Sequence, residues 1–310
     1  MTLEQALPNP LPLIDTHTHF DAPIFDKDRL ILVEQAYKQG VRHLILVGYV
    51  YEHFARMYDT QQSLDALWQS NGEYSDSEKA SSVSSYIALG LHPFYIEQHS
   101  EAHLTALAKT IAERRPIAIG EIGLDTFTEA MKEPDVFAKQ VQFFNAQLDM
   151  AVNYQLPVML HIRKAHAEAL AILKAHDYDA HKLGGIAHSF SGGAQEAKAF
   201  VKLGFKLGVT GQITNPNAKK LRRAIQLVVE TYGLECLVIE TDCPDMTPVM
   251  CQHSNNHSSH GSLHDRNVPA NLPWVLLSLS ELLDVAPEIL AKQLWHNSCS
   301  ALDTRWDYSL

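Results

Sequence analysis

Six of eight short apolar runs end in, or just before, an acidic or imidazole side chain, and that placement is where the sequence first points to chemistry. The run from Leu11 enters Asp15-Thr16-His17-Thr18-His19, and IAIG enters Glu121. PVML ends in His161, GGIA in His188, LVIET in Asp242, and GLHP carries His92. Residues two apart on extended chain point the same way, so His17 and His19 can reach one cation. An unpaired carboxylate after an apolar strand carries a heavy desolvation cost, which Glu121 and Asp242 would relieve by binding cations. Any one of these histidines alone reads more simply as a hydrogen-bonded or surface residue; the set together does not. Four neutral nitrogens (His17, His19, His161, His188) and two anionic side chains (Glu121, Asp242) suit two divalent ions such as Zn²⁺, Mn²⁺, Mg²⁺, Co²⁺ or Ni²⁺, and suit Ca²⁺ poorly. Two such ions, roughly 3.5–4 Å apart, would sharpen a water and clamp a phosphoryl or acyl oxygen. Asp242 could both ligate and take the proton of that water. Glu121 could bridge the ions.

Something must bring these distant residues together. Candidate strands are Leu11–Thr16, Arg42–Gly48, Tyr86–Gly90, Ile117–Gly120, Pro157–Ile162, Gly185–His188, Phe205–Val209 and Leu237–Glu240. Most are continuous apolar runs, as strands buried on both faces require. Helical spacing appears from Leu30 to Tyr37 with a stop at Gly40, in Pro134–Tyr154, Ala165–Lys174, Ala194–Leu203 and Ala218–Val229, and in the closing segments Leu272–Leu283 and Pro287–Leu302. This alternation predicts a (β/α)₈ TIM barrel, whose strand C-termini open on one face where catalytic groups gather. An open doubly wound sheet is the runner-up. It would more often carry a Gly-rich phosphate loop after the first strand, and DTHTHF has no glycine.

The 310 residues read as a single barrel domain with two interruptions, the polar insertion 70–85 and the His-rich loop 251–265. The loop's Ser/Asn company makes a flexible segment the simpler reading than a metal site. Net charge is −11, from 25 basic and 36 acidic residues, which excludes a generic nucleic-acid coat protein. No apolar run approaches the roughly 18 residues that would span a bilayer. The N-terminus lacks signal-peptide character, and Cys236, Cys243, Cys251 and Cys299 show no CxxC spacing. These features predict a cytoplasmic protein with reduced thiols and no membrane partner.

Several segments read as substrate contacts. His92 could orient a leaving group. Arg163, beside His161, offers a fork donor for phosphate. Ser191 and the glycines of HSFSGG precede a helix whose N–H groups could hold an anion, although a plain helix cap explains them equally well. Lys219, Lys220, Arg222 and Arg223 follow strand seven, where at most one is expected to reach substrate. Arg266, in DRNVP past strand eight, is the last candidate.

LIDTHTHFD, GLHP, GEIGLD, PVMLHIRKAH, HSFSG, LGVTGQITNP and IETDCPDM together resemble the TatD family of metal-dependent hydrolases, and its YjjV-like branch in particular. The resemblance extends from Leu13 to about Asn267. It implies an amidohydrolase-type barrel with a two-metal site. In that site His17, His19, Glu121 and Asp242 would hold one ion, and Glu121, His161 and His188 the other. It also implies a deoxyribonuclease acting on DNA, with cleavage from a strand end as one mode. Cys243 stands where the family usually has alanine or a similar small residue, the segment Val249–Leu263 is longer and more His-rich than the family pattern, and the insertion 70–85 is extra. Hydrolysis of a small amide, ester or phosphoester metabolite uses the same water activation, so residues alone do not separate the two. A non-catalytic metal-binding protein is the reading from another class; the intact ligand set argues against it.

Overall fold

The computed structural model describes residues 3–70, 83–252 and 266–309. Most of the interruption at 70–85 and of the loop at 251–265 lies outside the described residues.

Eight strands form one parallel sheet in sequential order: β1 Leu13–Thr18, β2 Val41–Val47, β3 Ser84–Leu89, β4 Ala118–Asp125, β5 Val158–Arg163, β6 Ile186–Ala187, β7 Lys206–Val209 and β8 Leu237–Ile239. Helices lie between strands, as a parallel connection requires. The sheet curls into a TIM barrel. The segment after β8 closes it against β1 at the mouth, where the Asp242 N–H donates to His17 O and the His19 N–H to Cys243 O, both at 2.9 Å.

The period of two along each strand builds two apolar layers. On β2, Ile45 and Val47 turn inward with Ala88, Ala118, Met159, Ile186 and Val238. Leu44 and Leu46 turn outward to the helix layer. Both faces are therefore dry, which is why these strands read as unbroken apolar runs. Ala301, Leu302 and Trp306 pack against the inner layer from the chain's C-terminal end. Gly40 stands where sequence placed a helix stop. Its φ is +95°, and a Cβ there would meet Leu11 O at 2.1 Å, so this turn admits only glycine.

Helices observed at Arg29–Lys38, Pro134–Tyr154, His166–Ala175, Ala194–Lys202, Lys219–Tyr232, Leu272–Leu283 and Pro287–Ala301 match the apolar spacing. Phe54–Ser70 and Glu101–Glu113 are helices that the spacing leaves unassigned. Two strands run longer than their apolar residues suggest. β1 continues from Thr16 to Thr18, and β4 passes Gly120 to Asp125. The pairs Gly123↔His161, Leu124↔Ile162 and Asp125↔Arg163 keep the backbone ladder intact where the side chains turn polar. Among the described residues, no helix is long and apolar enough to cross a membrane.

His43 on β2 stacks on Trp306 with ring centroids 4.2 Å apart. Burial, helped by Arg42, lowers its pKa to about 4. The unfolded chain would hold this proton up to a pKa near 6.5, so folding stability is full above that pH and is lost as pH falls towards 4. A His43→Phe protein, keeping the stack without the titration, should show a flatter loss of thermal stability between pH 6.5 and 4 than the wild type. Melting curves across that range test this.

Candidate active site

All six predicted ligands converge at the mouth. β1 delivers His17 and, one residue past its end, His19; β4 delivers Glu121; β5 delivers His161; the exits of β6 and β8 deliver His188 and Asp242. The Glu121 carboxylate stands at the centre, 1% exposed. On one side its Oε2 lies 3.3 Å from His17 Nε2 and 3.7 Å from His19 Nε2, with Asp242 Oδ1 3.9 and 3.8 Å from the same two nitrogens. On the other side its Oε1 lies 2.7 Å from His161 Nδ1 and 3.7 Å from His188 Nε2, and His188 Nε2 is 3.6 Å from Asp242 Oδ2. Each carboxylate thus turns one oxygen to each group of imidazoles.

The residues fit a cation on chemical grounds. His17 is fully buried, and neither of its ring nitrogens has a hydrogen-bond partner. A buried imidazole left unsatisfied in this way needs an explanation, and a ligated ion is one. Burial, reinforced by His188, lowers the His17 pKa to about 3, so the ring is neutral and can donate a lone pair. The His19 Nδ1–H donates to Val47 O at 3.0 Å, which leaves Nε2 free to ligate.

The other imidazoles are held by carboxylates outside the ligand set. Asp125 Oδ2 accepts from His161 Nε2 at 3.0 Å, and Glu240 Oε1 lies 2.9 Å from His188 Nδ1. Burial alone would lower both histidine pKa values. For His161 the hydrogen bonds to Asp125 and Glu121 outweigh it and raise the value to about 8. For His188 the charges of Glu240, Asp242 and Glu121 raise it to about 10. Glu121 is held well below the usual carboxylate range: burial opposes this, but the imidazoles of His92, His17 and His188 prevail. Asp242 moves the other way, to about 6, because its burial dominates the attraction of His188 and His19.

Glu240 is itself fixed. It accepts from the Ser189 N–H at 2.6 Å and the Thr16 hydroxyl at 3.2 Å. A Cβ on Gly208 would come within 2.3 Å of its Oε1, so glycine on β7 makes room for the carboxylate. Outer partners of this kind orient a ligating ring, and losing one typically costs about 10- to 100-fold in metal affinity. Glu240→Gln should weaken cation binding by that amount with the fold intact, as calorimetric titration of the metal-free protein would show.

His92 also touches Glu121, with Nε2 3.2 Å from Oε1. Its Nδ1 accepts from the Phe94 N–H at 2.9 Å, so in the neutral ring Nε2 carries the proton. Burial lowers its pKa to about 4, which keeps the ring neutral. His92 is thus a hydrogen-bond donor to Glu121 and not a lone-pair donor to an ion.

Above the ligands opens a cavity of about 880 Å³. The chain matches the family described as TatD related DNase over residues 14–303. It belongs to the TatD family. It is 39% identical over 236 residues to the uncharacterized metal-dependent hydrolase YjjV of Escherichia coli (strain K12), covering 75% of this chain and 80% of that one. The crystal structure of Escherichia coli YjjV superposes with a TM-score of 0.76 at 33% identity, covering 94% of this chain and 98% of the other. A Pantoea sp. (strain At-9b) protein named 3'-5' ssDNA/RNA exonuclease TatD is 28% identical over 288 residues, 92% of this chain and 97% of its own length. The present TatD-family protein is a metal-dependent hydrolase.

The expected substrate contacts divide. His92, Arg163 and Ser191 line the cavity of this TatD-family site. Arg266 does not. Its two terminal guanidinium nitrogens bond to Asp28, at 2.5 and 3.2 Å, and to Ile24 O at 2.6 Å. The helix after HSFSGG offers no open anion seat at Gly193, whose N–H donates to the Glu196 carboxylate at 3.0 Å. None of Lys219, Lys220, Arg222 and Arg223 lines the cavity, and Arg222 is tied to Ile213 O at 2.6 Å. Asp125 and Glu240 were missed as positioning groups. Period two would have found them: Asp125 shares a strand face with Glu121, and Glu240 lies two residues before Asp242.

Proposed function

We propose that the protein hydrolyses phosphodiester bonds of DNA, taking single strands from an end, and that it does so with two divalent ions that Glu121 would share. The observation that carries the reading is the placement of four imidazoles and a second carboxylate, Asp242, around the buried carboxylate of Glu121, at the floor of an open cavity. The nuclease name carried by TatD relatives supports the substrate class.

His17, His19, Glu121 and Asp242 would hold one ion; Glu121, His161 and His188 would hold the other. Ions there would withdraw charge from the phosphoryl oxygens and lower the pKa of a water near them. The chain supplies the rest. Asp242, between the two groups, accepts the proton of the attacking water at its carboxylate. Asp125 and Glu240 keep His161 and His188 turned towards Glu121. The Nε2–H of His92 holds Glu121 Oε1 in place. Arg163 reaches the cavity with its guanidinium 3.5 Å from the centroid of the Phe127 ring, where it can grip a neighbouring phosphate. A local grip suits a chain whose net charge is −11.

The pure protein should cleave end-labelled single-stranded oligonucleotides only when Mn²⁺, Mg²⁺ or Zn²⁺ is added, and His188→Ala should abolish the cleavage. Turnover of small phosphoesters or amides with oligonucleotides left intact would move the reading to a metabolite hydrolase.

A further inference from the structure

One wall of the cavity has no part in the chemistry described so far. Tyr49 stands in the loop after β2, and Phe94 and Tyr95 stand in the loop after β3. Their rings form one connected surface, with centroids 5.4 Å apart for Tyr49 and Tyr95 and 5.3 Å for Phe94 and Tyr95. The surface begins at the ligand cluster, since Tyr49 is 5.3 Å from His19 and Tyr95 is 5.7 Å from His92. It runs outward to Phe94, which is 42% exposed. Phe94 thereby extends the half-buried pair Tyr49 and Tyr95 into one contiguous apolar patch at the cavity rim, the kind of surface that marks a ligand-binding groove. Across the barrel, the loops after β7 and β8 offer the amides of Gln212, Asn215 and Gln252. The cavity is thus aromatic on one side, hydrogen-bonding on the other and phosphate-seeking at its floor.

We infer that Tyr49, Phe94 and Tyr95 form a subsite that stacks an unpaired nucleobase of the strand being cut. The inference rests on the nuclease reading and deepens it. Every base has an apolar face, so stacking on a fixed aromatic wall tolerates any sequence. A base within a duplex is already stacked and paired, and must leave both to reach this wall. The subsite therefore selects single strands by geometry and needs no broad basic surface, which suits a net charge of −11. A small phosphoester without a ring would gain nothing from it.

The test is a cycle between the wall and the base. Single-stranded oligonucleotides carrying one abasic residue, placed in turn at each of the last few positions, are cleaved by wild-type and Phe94→Ala proteins in Mn²⁺. The wild type should lose about 10-fold in kcat/KM when the abasic residue falls at one particular position. Phe94→Ala should lose a similar factor on the intact strand, through KM with kcat unchanged, and should lose nothing further on that abasic strand. Phe94→Trp should restore the intact-strand value. The side chain is part-exposed, and melting curves and metal content check that the variants are otherwise sound. Equal losses on intact and abasic strands, no loss at all, or a blunt duplex cut as fast as a single strand would overturn the subsite while leaving the nuclease reading standing. If the wild type cuts no oligonucleotide, the nuclease reading fails and takes the subsite with it.

Discussion

A Glu121→Gln protein should fold normally and lose activity on any substrate by on the order of 10³-fold, beyond the roughly 10- to 100-fold expected from an outer partner. The carboxylate presents Oε2 to His17 and His19 and Oε1 to His161, His92 and His188. Glutamine keeps the shape but has one oxygen. Its amide nitrogen must face one of the two groups of imidazoles, which on the two-ion proposal would take the anionic ligand from both ions and the bridge from one. Metal content should fall with activity, and steady-state kinetics beside elemental analysis would show whether the two losses track each other. Activity within a few fold of wild type would mean that Glu121 is a buried ion-pair partner only.

Asp242→Asn should act differently, lowering kcat by roughly 10²- to 10⁴-fold, the range for loss of a positioned general base, with a smaller change in KM. Asp242 sits at a φ of +54°, a left-handed conformation that asparagine tolerates as well as aspartate does. The backbone should therefore hold, and the Asp242 N–H should still donate to His17 O. An amide retains an oxygen to face an ion but cannot take a proton. A variant that binds metal nearly as well as wild type but turns over slowly is the expected result. An unchanged kcat would remove Asp242 from the proton-transfer role.

The contrast between these residues explains what the sequence could and could not show. The barrel was legible because strands dry on both faces read as LILV, IAIG or LVIE, and eight such runs alternate with helical spacing. The cluster of candidate ligands was legible because a polar side chain at the end of such a run has to be satisfied by something. The same polarity hid the true ends of β1 and β4, where Thr18 and Asp125 still belong to the ladder although the apolar signal has stopped. Glu240 looked like a strand end, since nothing local says that it sits beside His188, 52 residues earlier in the chain. Arg266 looked free for substrate, and only the fold shows Asp28 waiting for its guanidinium. The aromatic wall was invisible for the same reason: Tyr49 and Tyr95 are ordinary residues until adjacent barrel loops set their rings against each other.

The central claim is that one buried carboxylate joins two cations at the barrel mouth. Anomalous scattering from crystals grown with Mn²⁺ or Zn²⁺ measures it most directly. The account predicts two peaks per chain, one on either side of Glu121, the first among His17, His19 and Asp242 and the second between His161 and His188. A single peak, or peaks that avoid Glu121, would contradict it.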